Sequence, residues 1–220
     1  MSIDKISIEQ IAQSVLPVHF RTSEPVLILG EPGIGTTGIV LNSVRSLLTA
    51  AYGDSKPKAN KDEKDIDGVM EASKNKKVIF NEKDYYTIID GSIMSSESLV
   101  IPYINNEHVD RLQRNMIPEF QKAKAFFDKK ENDGKKFVIV IDELSSFTQD
   151  DQRTIMNFIQ SGLLPDGTFL PKDRLWIISM GNPTQSISGF EGDDSLTYDI
   201  ESALVTGCST YFVEADFKVK

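Results

Sequence analysis

Cysteine is nearly absent from this chain of 220 residues, which has Cys208 alone. One thiol allows no intramolecular disulfide, a usage that suits a reducing compartment. With no motif around it, Cys208 reads as a small core residue rather than a nucleophile. Histidine is almost as scarce. His19 and His108 lie far apart, with no Cys or His neighbour at ligand spacing, which excludes a metal centre built from them. Positive charge is also in short supply: 24 Lys and Arg face 33 Asp and Glu, for a formal charge of -9. The lysine-dense stretches are interleaved with acids, so there is no basic footprint, and nucleic acid is disfavoured as the main partner. No apolar run approaches the length of a membrane span, and the N-terminal MSIDKISIEQIAQSV has no cationic segment followed by an apolar core. The expectation is a soluble, cytoplasmic protein with no membrane partner.

What remains is ordinary globular material, 40% hydrophobic and 26% charged, enough for a single domain over residues 1–220 with a substantial core. Ser7 and Gln10 have capping-box spacing, and Ile8, Ile11, Ala12 and Val15 follow at helical period, so a short first helix is expected up to Pro17. Val26 to Leu29 is an uninterrupted apolar run of the kind a parallel strand buried on both faces shows. Further strands are expected over YYTIID (85–90), FVIVI (137–141), LWIIS (175–179) and YFV (211–213), with no internal repeat. Between them, helical spacing is read over 39–48. It is read again over 107–130, where Val109, Leu112, Met116, Phe120, Ala123 and Phe127 make an apolar face that Pro118 kinks or divides. Thr148 is placed to cap a helix that Gly162 ends, Pro-Asp-Gly within LLPDGTFLP suggests a small hairpin, and a short helix is read near 199–205. Residues 53–77 form a polar insertion of both charge signs, and 185–195 a loop rich in Gly, Ser and Asp. Strands alternating with helices imply an α/β fold: a mostly parallel five-stranded sheet with helices on both faces and ligands at the C-terminal strand ends.

Three stretches carry chemistry, each at the end of an expected strand. The first, LILGEPGIGTTGIV, fits G-x-x-x-x-G-K-[ST] except that Thr36 stands where lysine belongs. Gly30, Gly33 and Gly35 allow the backbone of Glu31, Pro32, Ile34 and Gly38 to wrap an anion against the helix end, and Thr37 offers a hydroxyl to Mg²⁺. A plain glycine turn between strand and helix is the bland alternative. In the second, Asp142 and Glu143 close an apolar strand, so one carboxylate can hold a magnesium shell and the next can orient water. The third is Asn182 in Gly-Asn-Pro, an amide that could contact both the attacking water and a γ-phosphate.

In these stretches the chain resembles the AAA+ ATPases, and within them the MoxR-like branch. The resemblance rests on PVLILGEPGIGTTGIV, TIIDGSIMSSESLVIPY, FVIVIDELSSFTQDDQRTIMNFIQSGLLPDGTFLPKD and LWIISMGNPT, over roughly residues 5–217. It implies a P-loop NTPase (AAA+) core with strand order 5-1-4-3-2. Gly30 to Thr37 would be Walker A, Asp142 and Glu143 Walker B, and Asn182 sensor 1. ATP or ADP with Mg²⁺ would be the ligands. Members of the branch act as chaperone-like hydrolases that remodel protein complexes, often as hexameric rings working on protein partners.

The departures from the family bear on function. Thr36 removes a cation whose charge-assisted contact contributes roughly 1.5–3 kcal/mol, so weaker nucleotide binding and impaired hydrolysis are expected. The last arginine is Arg174, which leaves residues 175–220 without an arginine finger. No helical lid is expected within these 220 residues after the fifth strand, and this chain alone is expected to be monomeric or weakly associated. The alternative is a catalytically inactive pseudo-ATPase that serves as a binding or scaffold module.

Overall fold

The computed structural model describes residues 5–30, 33–53, 80–94, 99–104, 112–183, 200 and 202–213. In chain order the elements are β1 (Lys5–Ile6), α1 (Ile8–Gln10), a π turn (Ile11–Val15), α2 (Leu16–Thr22), β2 (Val26–Gly30) and α3 (Thr36–Tyr52). A 3₁₀ turn (Glu82–Tyr85) then leads into β3 (Tyr86–Asp90), α4 (Gly91–Met94), β4 (Val100–Ile104), β5 (Leu112–Met116) and α5 (Pro118–Phe127). The remainder is β6 (Phe137–Asp142), α6 (Gln149–Ser161), β7 (Leu175–Gly181), α7 (Ser202–Gly207) and β8 (Ser209–Val213).

The main sheet has the order β1-β8-β2-β7-β6-β3, and every pairing in it is parallel. Its five longer strands follow the expected 5-1-4-3-2 order of a P-loop NTPase core. Among the described residues the sheet nevertheless has six strands rather than five, because Lys5 and Ile6 pair with Phe212 and Val213 at the β8 edge. Side-chain alternation divides the core into two layers. Leu27, Leu29, Ile139, Ile141 and Ile177 face Phe120, Phe158 and Ile159 of α5 and α6. Ile28, Val138, Val140, Trp176 and Ile178 face Ile11, Leu16, Val40, Val44 and Leu48. Trp176 is fully buried and its indole N–H donates to the Glu24 carbonyl at 3.1 Å, which satisfies the one polar atom that a core tryptophan brings.

Two local readings are corrected. The first helix does not stop at Pro17. Its Ser7–Gln10 capping box forms as expected, and helical structure then continues to Thr22, where Ser23 turns left-handed at φ 60°. The π turn, in which the Leu16 N–H reaches the Ile11 carbonyl, widens the backbone ahead of the proline and absorbs its ring and missing donor.

Of the helical face expected over 107–130, residues 107–111 lie outside the described residues, and from 112 onward helix begins only at Pro118. Leu112–Met116 is a strand, paired antiparallel with Val100–Ile104 from Val100↔Met116 to Ile104↔Leu112. Helix propensity differs by only tenths of a kcal/mol per residue and is overridden by tertiary pairing, here with β4. Pro118 sets the boundary, since Ile117 ahead of it is extended at ψ 153°.

Other readings stand. Thr148 caps α6 by accepting from the Asp151 N–H, Gly162 ends it in the left-handed region, and Leu163 bridges Phe169 across the Pro-Asp-Gly turn. Of the polar insertion at 53–77 only Gly53 lies within the described residues, and the 185–195 loop lies outside them.

Candidate functional site

The C-terminal ends of β2, β6 and β7 open on the face of the sheet that α3 covers. Alternation along the strands puts Ile28 and Gly30 of β2, Asp142 of β6 and Met180 of β7 on that face, since Val26, Val140 and Ile178 already point there. Beyond Gly30 the chain turns through Gly33 at φ 85° and Gly35 at φ 77°, a region a side chain rarely adopts, and enters α3 at Thr36. A cleft of about 300 Å³ results. Gly30, Gly33, Ile34, Gly35, Thr36 and Thr37 line one wall. Asp142, Glu143 and Asn182 line the other, with Ile28, Met180 and Gly181 completing the surface. Gly38 lies one residue further into α3 and does not line the cleft; Glu31 and Pro32 lie outside the described residues. The helix start contributes N–H groups that have no intrahelical acceptor, together with the positive end of the helix dipole.

The acid pair has a distinctive backbone. Glu143 adopts φ 51°, ψ 48°, uncommon for a residue with a side chain, and its N–H donates to Asp142 Oδ1 at 3.0 Å. Its carbonyl then accepts from the Ser146 N–H at 2.8 Å, opening a 3₁₀ turn. Gly91 holds this turn from behind. A Cβ at that position would sit 2.5 Å from the Glu143 carbonyl and 2.6 Å from the Phe147 ring, so only glycine fits. Burial raises the Glu143 pKa above the ordinary carboxylate value, and the nearby charges of Asp142 and Asp90 raise it further.

Asp90 is a contributor that the sequence pattern did not single out. It ends β3 directly opposite Asp142, and the Ser92 N–H and hydroxyl donate to its Oδ1 at 2.9 and 2.6 Å. The signal was the one that found Asp142: an apolar strand, YYTIID, closing on an acid.

The donor set suits magnesium carried by a phosphate better than a protein-built cage. Among the described residues no group of three or more His, Cys, Asp and Glu could hold a metal ion. Thr37 and Asp142 share the cleft and offer hard oxygen donors, as Mg²⁺ prefers when substrate phosphates and water complete its shell. The described lining contains two carboxylates and no Lys or Arg.

Lys83 cannot supply the missing cation. It precedes β3, at the opposite end of a strand that spans about 16 Å; Lys76 and Lys77 lie outside the described residues. Arg174 is engaged elsewhere, 5.3 Å over the Phe127 ring and 3.8 Å from Asp133. His19 is a buried structural residue whose Nε2 lies 2.8 Å from the Tyr211 hydroxyl. Cys208 is half-buried against the core rather than within it, and burial pushes its thiol up to about 11, in keeping with an unreactive position.

No protein-family model and no curated protein matches the chain. Among solved structures it is similar to a provisionally assigned ATPase from Cytophaga hutchinsonii, with a TM-score of 0.45 and 11% identity. The match covers 94% of this chain and 46% of that protein, so the chain spans under half of its neighbour's length. Likeness at this level carries no statement about activity. No helix among the described residues is long and apolar enough to cross a membrane.

Proposed function

We propose that the chain is an ATP-binding core of the AAA+ kind, MoxR-like in its motifs and related to ATP-driven remodelling of protein complexes, with hydrolysis impaired by Thr36. One observation carries this reading: the ends of three neighbouring parallel strands bring the glycine loop, the Asp142–Glu143 pair and Asn182 into a single cleft. The loop amides and the start of α3 take the phosphates. Thr37 and Asp142 would hold Mg²⁺, which supplies charge neutralisation to the β- and γ-phosphates. Glu143, whose burial strengthens it as a base, orients water for attack, and Asn182 contacts the water and the γ-phosphate. Thr36 offers a hydroxyl but no charge. Protein partners, assembly into a hexameric ring with family-like neighbours, a monomeric state for this chain alone and a cytoplasmic location belong to the same proposal.

The absence of a cation from the described lining favours a second reading, a catalytically inactive pseudo-ATPase acting as a binding or scaffold module.

Calorimetric titration of ATP with Mg²⁺ into the native chain and into Thr36→Lys, with phosphate release followed in parallel, separates the two. Restoring the lysine is expected to tighten binding roughly tenfold or more, the equivalent of one charge-assisted contact. Turnover in Thr36→Lys supports the ATPase reading, and binding without turnover in either chain supports the pseudo-ATPase. Absence of binding to both removes the cleft as a phosphate site.

A further inference from the structure

A second concave region lies at the opposite end of the sheet, beside the N-terminal ends of β3 and β6. It is a groove of about 340 Å³ between α5 and the turn leading into β3, within the size range of sites that take a ligand or an anchoring side chain. One wall is a stripe of α5, Lys122, Ala125 and Phe126, extended by Lys129 just past the helix end. The facing wall is aromatic. Tyr85 stacks on Tyr52 with ring centroids 5.2 Å apart, and Phe80 and Phe126 approach it at 5.3 and 5.5 Å. Lys135 closes the base, its ammonium 5.5 Å above the Tyr85 ring.

The cations of this groove make no direct ion pair, although the Asp84 and Glu119 carboxylates act on Lys122 through space. Lys122 donates to the carbonyls of Lys83 and Tyr86, and Lys135 to the Tyr85 hydroxyl. Among the described residues none of Lys122, Lys129 and Lys135 has a carboxylate at ion-pair distance. Lys124, on another face of the same helix, shows the contrast, since it is paired with Asp166 at 2.8 Å. In a chain of formal charge -9, three ammonium groups against the two carboxylates Asp84 and Glu131 leave this groove slightly positive beside an apolar aromatic wall. That combination recognises a group that is apolar at its centre and anionic at its edge. Asp84 and Glu131 sit among the lysines, so a continuous row of phosphates would meet them, whereas a short peptide can place its carboxylates on the ammonium groups alone.

From this juxtaposition we propose that the groove binds an acidic peptide segment of a protein partner, with one aromatic or large aliphatic side chain against Phe80, Tyr85 and Phe126 and flanking carboxylates on Lys122, Lys129 and Lys135. The site is separate from the nucleotide cleft and does not depend on its chemistry.

The test is fluorescence anisotropy of a short labelled peptide, Asp-Glu-Phe-Glu-Asp, with the native chain and with Lys129→Glu and Ala125→Trp. Both substituted residues are exposed, so the fold tolerates the changes. Saturable binding is expected that weakens about tenfold in Lys129→Glu, the scale of one charge-assisted contact. Ala125→Trp fills the groove and is expected to weaken binding at least as much. Added salt lowers the affinity, the Phe→Ser peptide binds more weakly, and ATP titration is the same for all three chains. Failure of the acidic peptide to saturate the native chain overturns the proposal, as does equal affinity across the three chains. So does tighter binding of an oligothymidylate than of the peptide, which would assign the groove to single-stranded nucleic acid.

Discussion

The cleft at the C-terminal ends of the strands and the groove near their N-terminal ends are similar in size, about 300 and 340 Å³, and each has two carboxylates, but only the groove adds lysines. The described lining of the cleft has the backbone geometry for an anion, two carboxylates and no side-chain cation. The groove has three ammonium groups beside two carboxylates, and no glycine loop. An anion entering the cleft must therefore be neutralised by backbone dipoles and by a cation that arrives with it, whereas one entering the groove meets fixed positive charge. The same chain thus offers two ways of holding negative charge, and a substitution or a change of solution should affect one without the other.

Removal of divalent metal makes the largest difference. With excess EDTA, ATP affinity at the cleft is expected to fall on the order of a hundredfold, the scale of two charge-assisted hydrogen bonds removed together, while acidic-peptide affinity at the groove is unchanged. Titration calorimetry with and without chelator reads both, and metal-independent ATP binding would break the contrast.

Gly91→Ala sharpens the comparison from within the fold. Its Cβ meets the Glu143 carbonyl and the Phe147 ring, so a destabilisation of about 1–3 kcal/mol is expected, as for other overpacked sites. Any turnover recovered by Thr36→Lys should be lost in the double variant, with nucleotide affinity retained, because the change displaces Glu143 and not the loop. Denaturant unfolding with parallel binding and phosphate-release assays checks it. Equal loss of binding and turnover would mean that Gly91 supports the whole cleft rather than Glu143.

The smallest effect is a pH dependence. Glu143 is held above the ordinary carboxylate value of 4.5, so in the window above that value the native state keeps a proton that the unfolded chain has released. Stability consequently falls as pH rises through the window and levels off above the folded pKa. Glu143→Gln lacks this slope. Guanidinium unfolding of both chains in metal-free buffer across the window should give diverging curves, and a flat difference would show that the Glu143 carboxyl is not desolvated.

How much of the molecule is legible in its sequence varies with the range of the forces involved. The central strands stand out because burial on both faces demands unbroken apolar runs such as Phe137 to Ile141. The glycine loop stands out because its residue types are required by the local backbone, and the Thr148 and Gly162 caps are likewise local. Leu112–Met116 reads wrongly as helix because its side chains fit a helical period continuing from Phe120, and the strand it pairs with ends at Ile104, beyond what local spacing reports. The helix through Pro17 is cut short in the sequence pattern because a π turn leaves no composition signature. Asp90 carries the same strand-end signal as Asp142, yet its importance lies in standing opposite Asp142 on the adjacent strand, a relation that only register reveals.

By itself the sequence determined the α/β class, the glycine loop with Thr36 in the lysine position, the order of the acid pair and Asn182 along the chain, and the shortage of positive charge. These are consequences of residue type and near-neighbour spacing. Only the tertiary structure decided that the three motifs share one cleft, that Gly91 underlies the left-handed Glu143, and that the lysines closest to being spare gather at the other end of the sheet. Each of those depends on residues distant in sequence meeting across parallel strands and packed helices, where register and burial set the outcome and no local pattern records it.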